Sequence, residues 1–178
     1  MYNSLSISSK MGSITVNGHF FNFLGQFANS EGISINKKNI ENETYIQFEE
    51  AITCLNEIIS KTNPYTLKKC GEAFYTYLRN TFKELNHDEP IDEIATIPKY
   101  FQYIISGEGA GIYKLEPGTG GYLRILENTP FPPLFTEGIF AALLRQYRCI
   151  GAMIKNPATI DEKHYFNEFE LVWMRKVK

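Results

Sequence analysis

The chain has 178 residues, of which 43% are hydrophobic, 21% charged and 14% aromatic, a size and mixture that suit one compact domain rather than two. No run approaches the roughly 18 apolar residues that a membrane-spanning helix needs, and the opening MYNSLSISSKMGS lacks the basic-then-apolar order of a secretory signal, so a soluble, cytoplasmic protein is expected. Eighteen Lys and Arg against twenty Asp and Glu leave a net charge of −2, which provides no field for collecting phosphate backbones and argues against nucleic acid as a partner.

Residues 1–18 are rich in Ser, Asn and Gly, with one β-like run, Ser13-Ile14-Thr15-Val16, and are expected to form a loose arm or a short strand ahead of a single domain over 19–178. From His19 to Asn29, Phe20, Phe23, Leu24 and Phe27 recur at helical spacing, and Gly32 can close that helix in a left-handed cap. The polar stretch NKKNIENE follows as a loop. Thr44-Tyr45-Ile46-Gln47 matches a capping box, and Phe48, Ala51, Ile52, Leu55, Ile58 and Ile59 then share one helical face.

After Asn63-Pro64 the same spacing returns in Leu67, Cys70, Phe74, Tyr77, Leu78, Thr81 and Phe82, so two amphipathic helices are expected to pack as a hairpin. His87-Asp88-Glu89-Pro90 is a polar break. A further helical pattern covers Ile91 to Ile105, and Pro98 within it should kink the helix or open a fresh first turn.

Beyond Gly107 the pattern changes to strands. Gly111 to Leu115 and Tyr122 to Leu126 flank the turn-rich Pro117-Gly118-Thr119-Gly120-Gly121 and form a hairpin. Thr129-Pro130-Phe131-Pro132-Pro133-Leu134-Phe135 is a stiff apolar connector, either stapled to the core or forming a pocket rim. A helix carrying Ile139, Phe140, Leu143, Leu144 and Tyr147 follows. Ile150 to Lys155 and Tyr165 to Met174 supply two more strands, with Tyr165, Phe169, Leu171 and Trp173 alternating on one face. A helical half followed by strand-strand-helix-strand-strand predicts an α+β domain with helices on one face of an antiparallel sheet.

Chemistry-bearing motifs are scarce. Cys54, Cys70 and Cys149 are odd in number and far apart, so neither a disulfide framework nor a metal clip is expected; His19, His87 and His164 are equally scattered. The glycine clusters around 107–111 and 117–121 border strands, not a strand-to-helix turn, which favours turn geometry over a phosphate loop. No nucleophile elbow or zinc-protease motif is present, so catalysis has no positive sign. His19 reads as a polar residue at a helix start, and His87-Asp88-Glu89 as a polar loop. Cys70 and Gly71 mark a place on the second long helix where a backbone or a ligand can come close. Tyr75, Tyr77, Tyr100 and Tyr103 carry hydroxyls on apolar helices that require partners.

The order of elements, with Ile97-Pro98-Lys99-Tyr100-Phe101 and Ser106-Gly107 before the hairpin and Phe169-Glu170-Leu171-Val172-Trp173 at the end, resembles the ligand-binding superfamily of H-NOX haem domains, vinyl-reductase-type domains and TRAPP transport-complex subunits. The likeness spans roughly Phe48 to Trp173 and is nearest a family found largely in myxobacteria. It implies a cavity between helices and sheet that holds haem or another apolar ligand, or that is filled in to make an interaction surface. The proximal histidine that H-NOX domains place before the first hairpin has no counterpart in Ile91 to Ser106. Their Tyr-x-Ser-x-Arg contact is absent from Tyr122-Leu123-Arg124-Ile125-Leu126. Haem is therefore disfavoured and no cofactor is assigned. The expected function is a non-catalytic sensor or binding domain, with a small apolar ligand lined by Cys70, Phe74, Tyr77, Tyr100, Tyr103, Phe131 and Phe135. The alternative is a scaffolding subunit without ligand, docking a protein partner or a second copy through its helices.

Overall fold

The computed structural model describes residues 14–36, 40–85, 87–107, 112–129, 131–155 and 167–175. In chain order the elements are β1 Thr15–Asn17, α1 Gly18–Ser30, β2 Tyr45–Gln47, α2 Phe48–Lys61, α3 Tyr65–Thr81, α4 Pro90–Ile104, β3 Ile105–Ser106, β4 Ile112–Pro117, β5 Tyr122–Asn128, α5 Pro133–Gln146, β6 Cys149–Lys155 and β7 Asn167–Arg175. The expected α+β order of a helical half followed by strand-strand-helix-strand-strand is what forms.

Asn17 caps α1 by accepting the Phe20 N–H on its side-chain oxygen, while its amide donates to the Tyr103 carbonyl at 2.6 Å. At the other end Gly32 has φ 71°, and the bonds Gly32 N to Asn29 O and Ile33 N to Ala28 O complete a Schellman closure, as the glycine's position predicted. Phe20, Phe23, Leu24 and Phe27 are buried along this helix.

The capping box does not form. Residues 45–47 are strand, paired antiparallel with 15–17, and α2 begins at Phe48 behind Gln47, which makes no side-chain cap bond. Pairing with β1 holds these three residues extended, so the helix starts after the box. Of the run at 13–16, expected as a loose arm or a short strand, Thr15 and Val16 lie in a short strand: β1 is the middle of a three-stranded sheet ordered β2-β1-β3, with Val16 wholly buried. Ser13 itself lies outside the described residues. Pro98 sits inside α4, which continues to Ile104 without starting anew.

The α2–α3 hairpin is also not the main helical contact. α3 packs most extensively against α5, and glycines explain why. A methyl group at Gly71 would lie 1.9 Å from the Phe135 carbonyl oxygen, and one at Gly138 would lie 2.1 Å from that of Lys68. Each helix thus presents bare backbone where the other crosses it, and the Lys68–Glu137 pair at 2.7 Å flanks the crossing.

The second sheet is antiparallel in the order β4-β5-β7-β6. Leu123 and Ile125 face Leu171 and Phe169 in register, and all four are fully buried, so the alternation seen in the sequence is the core face. Tyr165, expected in the same row, lies outside the described residues. α5 covers this face, with the Phe140 and Phe169 rings edge to face at 5.4 Å. β6 is an edge strand with a register shift between Ile150 and Met153 and a positive φ of 62° at Gly151.

Candidate functional site

Five of the seven expected lining residues come together. Phe74 from α3, Phe135 from α5 and Phe131 from the connector meet Phe20 of α1, with Phe20–Phe74 at 5.0 Å, Phe20–Phe131 at 5.2 Å and Phe131–Phe135 at 4.9 Å. Phe101 of α4 and Phe48 of α2 close the cluster at 5.4 and 5.5 Å from Phe131. Cys70 is fully buried on α3, and burial pushes its thiol well up. This is a ring-filled junction of five elements, in which the proline-rich connector is stapled to the core.

Tyr77 edges the same cluster, its ring stacked on Phe74 at 6.2 Å, whereas Tyr100 and Tyr103 fall elsewhere. Tyr77 packs on Phe23 at 5.5 Å and shares a 2.9 Å hydrogen bond with His19 Nδ1; its partial burial raises the hydroxyl's pKa. Tyr100 and Tyr103 lie with Phe82 in an outer aromatic ladder, at ring separations of 5.0 and 6.1 Å from it. Tyr103 is 63% exposed, so it does not line an interior space with Phe74.

Glu93, which the sequence reading did not single out, is a second polar centre. It is completely buried on α4. Tyr75 of α3 donates its hydroxyl to Oε1 at 2.7 Å, Tyr147 donates to Oε2, and Arg79 Nε stands 3.3 Å from Oε1. Burial first, then the bond to Glu93, drives both tyrosine hydroxyls far above their usual pKa. A single acidic residue in the apolar row Pro90, Ile94, Ile97, Phe101 was the available sign. His87 bonds Thr96 Oγ1 through Nε2 at 3.2 Å, which makes it a loop residue tied to α4.

A cleft of about 490 Å³ opens between the first turn of α4 and the end of the larger sheet. Pro90 and Ile91 form one wall; Tyr122, Trp173 and the Gly118–Gly121 turn form the other, with Glu89 and Met174 at its edge. The turn needs its glycines, since Gly120 and Gly121 have φ of 69° and 77°, and a methyl group at Gly121 would lie 2.1 Å from the Trp173 carbonyl oxygen. The 117–121 cluster is therefore hairpin geometry, as expected; Glu108 to Gly111 lie outside the described residues. Another groove, of about 460 Å³ beside α3, is bounded by the ion pairs Lys69–Glu31 and Arg145–Glu72.

No family model and no curated protein matches the chain. Solved structures do. The Fe(II) unliganded H-NOX protein from K. algicida aligns with a TM-score of 0.67 and 17% identity over 91% of this chain and 98% of that one. The Fe(II)NO H-NOX protein from S. oneidensis gives 0.69 and 9% over 90% and 100%. An oxygen-binding H-NOX domain related to soluble guanylate cyclases gives 0.62 and 8% over 90% and 94%. The chain has an H-NOX-like fold.

Within that H-NOX-like frame the residues do not fit a haem held by a histidine of the helix before the hairpin. The buried positions of α4 are Pro90, Glu93, Ile94, Ile97, Phe101 and Ile104, and none offers an imidazole. The nearby interior is occupied by rings in mutual contact. Arg124 is engaged by Glu116 and Glu168 across the sheet. Among the described residues no group of three or more His, Cys, Asp or Glu side chains gathers as a metal site, and no helix is long and apolar enough to cross a membrane.

Proposed function

We propose that this H-NOX-like chain is a non-catalytic sensor or binding domain, acting in the cytoplasm in signalling, that holds a small apolar ligand between its helices and its sheet. The observation that carries this reading is the cleft between α4 and the β4–β5 turn, whose volume of about 490 Å³ falls within the ordinary range of small-molecule sites. Its walls combine an indole, a phenol ring and aliphatic side chains with bare glycine backbone. The ring cluster around Phe74 and Phe131 then serves packing, and the ligand sits one layer away from it.

Trp173 is the only tryptophan of the chain, so its fluorescence reports on the cleft directly. Titrating the purified chain with the bicyclic hydrocarbon indane should give a saturable one-site change, lost in Ile91→Arg. An unresponsive wild type, or a response unaltered in Ile91→Arg, refutes the cleft. The competing reading, a scaffolding subunit docking a partner or a second copy through its helices, draws support from the exposed Tyr45 and Tyr103, the latter stacked on the half-buried Phe82 and Tyr100. Concentration-dependent association in sedimentation, abolished by Tyr103→Ser, would favour it.

A further inference from the structure

We infer that the outer edge of β6 docks an extended segment of a partner protein, apolar in its middle and acidic at both ends, which joins the larger sheet as a fifth strand. This surface lies outside the cleft, and the inference goes beyond the ligand reading. In the order β4-β5-β7-β6 only one side of β6 is paired, and no other strand of the described residues meets its remaining row of N–H and C=O groups. Such a row is a template for main-chain pairing, the mode by which sheets take up extended peptides.

The side chains beside that edge are apolar and open to water. Ile150 stands opposite Met174, and Met153 opposite Val172. Because Leu171 and Trp173 are buried on the core side, these four share the outer face. Ile150, Met153 and Met174 are 50%, 52% and 64% exposed; the other exposed large hydrophobic residues of the described chain are all tyrosines. Sheets ordinarily protect an edge with charges along its length, and between residues 149 and 154 there are none.

Charge selects the occupant. Arg148 and Lys155 bracket the strand, both exposed, and no acidic residue lies between them. Neither enters an ion pair among the described residues: Lys155 faces Glu170 in register, but Glu170 accepts from the Tyr122 hydroxyl at 3.2 Å instead. Two unpaired cations roughly 20 Å apart at strand spacing suit a segment with a carboxylate at each end. A second copy of β6 does not fit. Antiparallel pairing about a two-fold axis would set Arg148 of each copy beside Lys155 of the other. It would also bring together two irregular stretches, since the register shifts between Ile150 and Met153 and Gly151 has φ 62°. A flexible peptide follows such a bend, whereas a second bent edge meets it out of step.

β6 uses seven residues from Cys149 to Lys155 where β7 uses six, 170–175, so the probe sets its carboxylates six positions apart: acetyl-Glu-Val-Thr-Val-Thr-Val-Glu-amide. One control carries Lys at both ends. The other has Pro at two adjacent central positions, one of which must face β6 and there lacks its donor. Added to the full ¹⁵N-labelled chain, the acidic peptide should shift the amides of residues 149–155 saturably. It should also slow the reaction of a thiol reagent with Cys149, which is partly accessible on this strand. Each control should bind about tenfold more weakly, the scale of two reversed surface charges or of lost main-chain bonds. Lys155→Glu and, separately, Arg148→Glu should weaken the acidic peptide and strengthen the Lys-ended one. If the Lys-ended peptide binds the wild type as well as the acidic one does, the acidic partner is wrong; if the Pro peptide does, the contact is not strand addition. If the β6 amides shift with protein concentration alone, a second copy takes the edge and the proposal falls. It falls equally if no peptide moves those amides. None of these outcomes bears on the cleft, which indane reports through Trp173.

Discussion

Tyr75 on α3 donates its hydroxyl to Glu93 on α4 across 2.7 Å, and neither side chain has meaningful contact with water. Because Tyr147 of α5's end and Arg79 of α3 close on the same carboxyl group, one side chain ties three helices. Removing it strands its partners. Glu93→Ala should cost about 3–5 kcal/mol in urea denaturation, the range for breaking a buried ionic group's partnership. Tyr75→Phe, which keeps the ring, should cost about 1–3 kcal/mol. The double variant should cost clearly less than the sum, since the two changes remove one shared interaction.

The same hydroxyls make the fold sensitive to alkali. Tyr75 and Tyr147 are held protonated in the fold well above the ordinary tyrosine value of 10.0. Their stabilisation is complete below the unfolded pKa and is lost as pH rises, because above about pH 10 the unfolded chain releases protons that the folded chain retains. Each tyrosine then adds a slope of about −1.4 kcal/mol per pH unit. Urea titrations from pH 8 to 11 should show the decline, and Tyr75→Phe should make it shallower. A stability curve that is flat to pH 11 in the wild type contradicts the assignment.

The α3–α5 crossing allows no side chain at its two glycines. Gly71→Ala brings a methyl group onto the Phe135 carbonyl oxygen and Gly138→Ala onto that of Lys68, so the helices must separate. Loss of about 3 kcal/mol is expected for either, at the upper end for overpacked positions. Gly32→Ala, where open space surrounds the α1 cap, should cost about 1 kcal/mol through backbone strain alone. Thermal melts of the three variants rank these effects.

Thiol reactivity should divide the cysteines. Cys54 and Cys70 are buried and Cys149 is partly accessible on β6. A thiol reagent should therefore titrate about one equivalent in the native chain and three after unfolding, with Cys149→Ser removing the native reaction. Fast native reaction of Cys70 would show that the aromatic junction opens.

Long amphipathic elements could be recognised in the sequence because their periodicity follows burial: Phe20 to Phe27, Phe48 to Ile58 and Leu67 to Leu78 each carry an inward face, and Phe169, Leu171 and Trp173 alternate as a strand on a core must. Of the small sheet only β1 had a sign, the β-like run at Ser13 to Val16; β2 and β3 hold three and two residues, too few for alternation to register. Local capping chemistry at Thr44 lost to pairing with a strand thirty residues earlier, a partner that no local window contains. The candidate site was only partly readable. Aromatic content drew attention to Phe74 and Phe131, whereas the cleft depends on how the hairpin turn meets the first turn of α4, which is a matter of tertiary placement. Glu93 carried a sign, a lone acid in an apolar row, without naming its partners.

The β2-β1-β3 sheet has a consequence for how the chain reaches its fold. β1 joins residues 15–17 to residues 45–47 on one side and to 105–106 on the other, and Asn17 both starts α1 and holds the Tyr103 carbonyl. Such pairings close loops of about 30 and 90 residues, whose entropic cost is met only after α1 to α4 are largely in place. The beginning of the domain should therefore be among the last parts to settle, and amide exchange at Val16 should report the completion of the whole helical half rather than of its own neighbourhood.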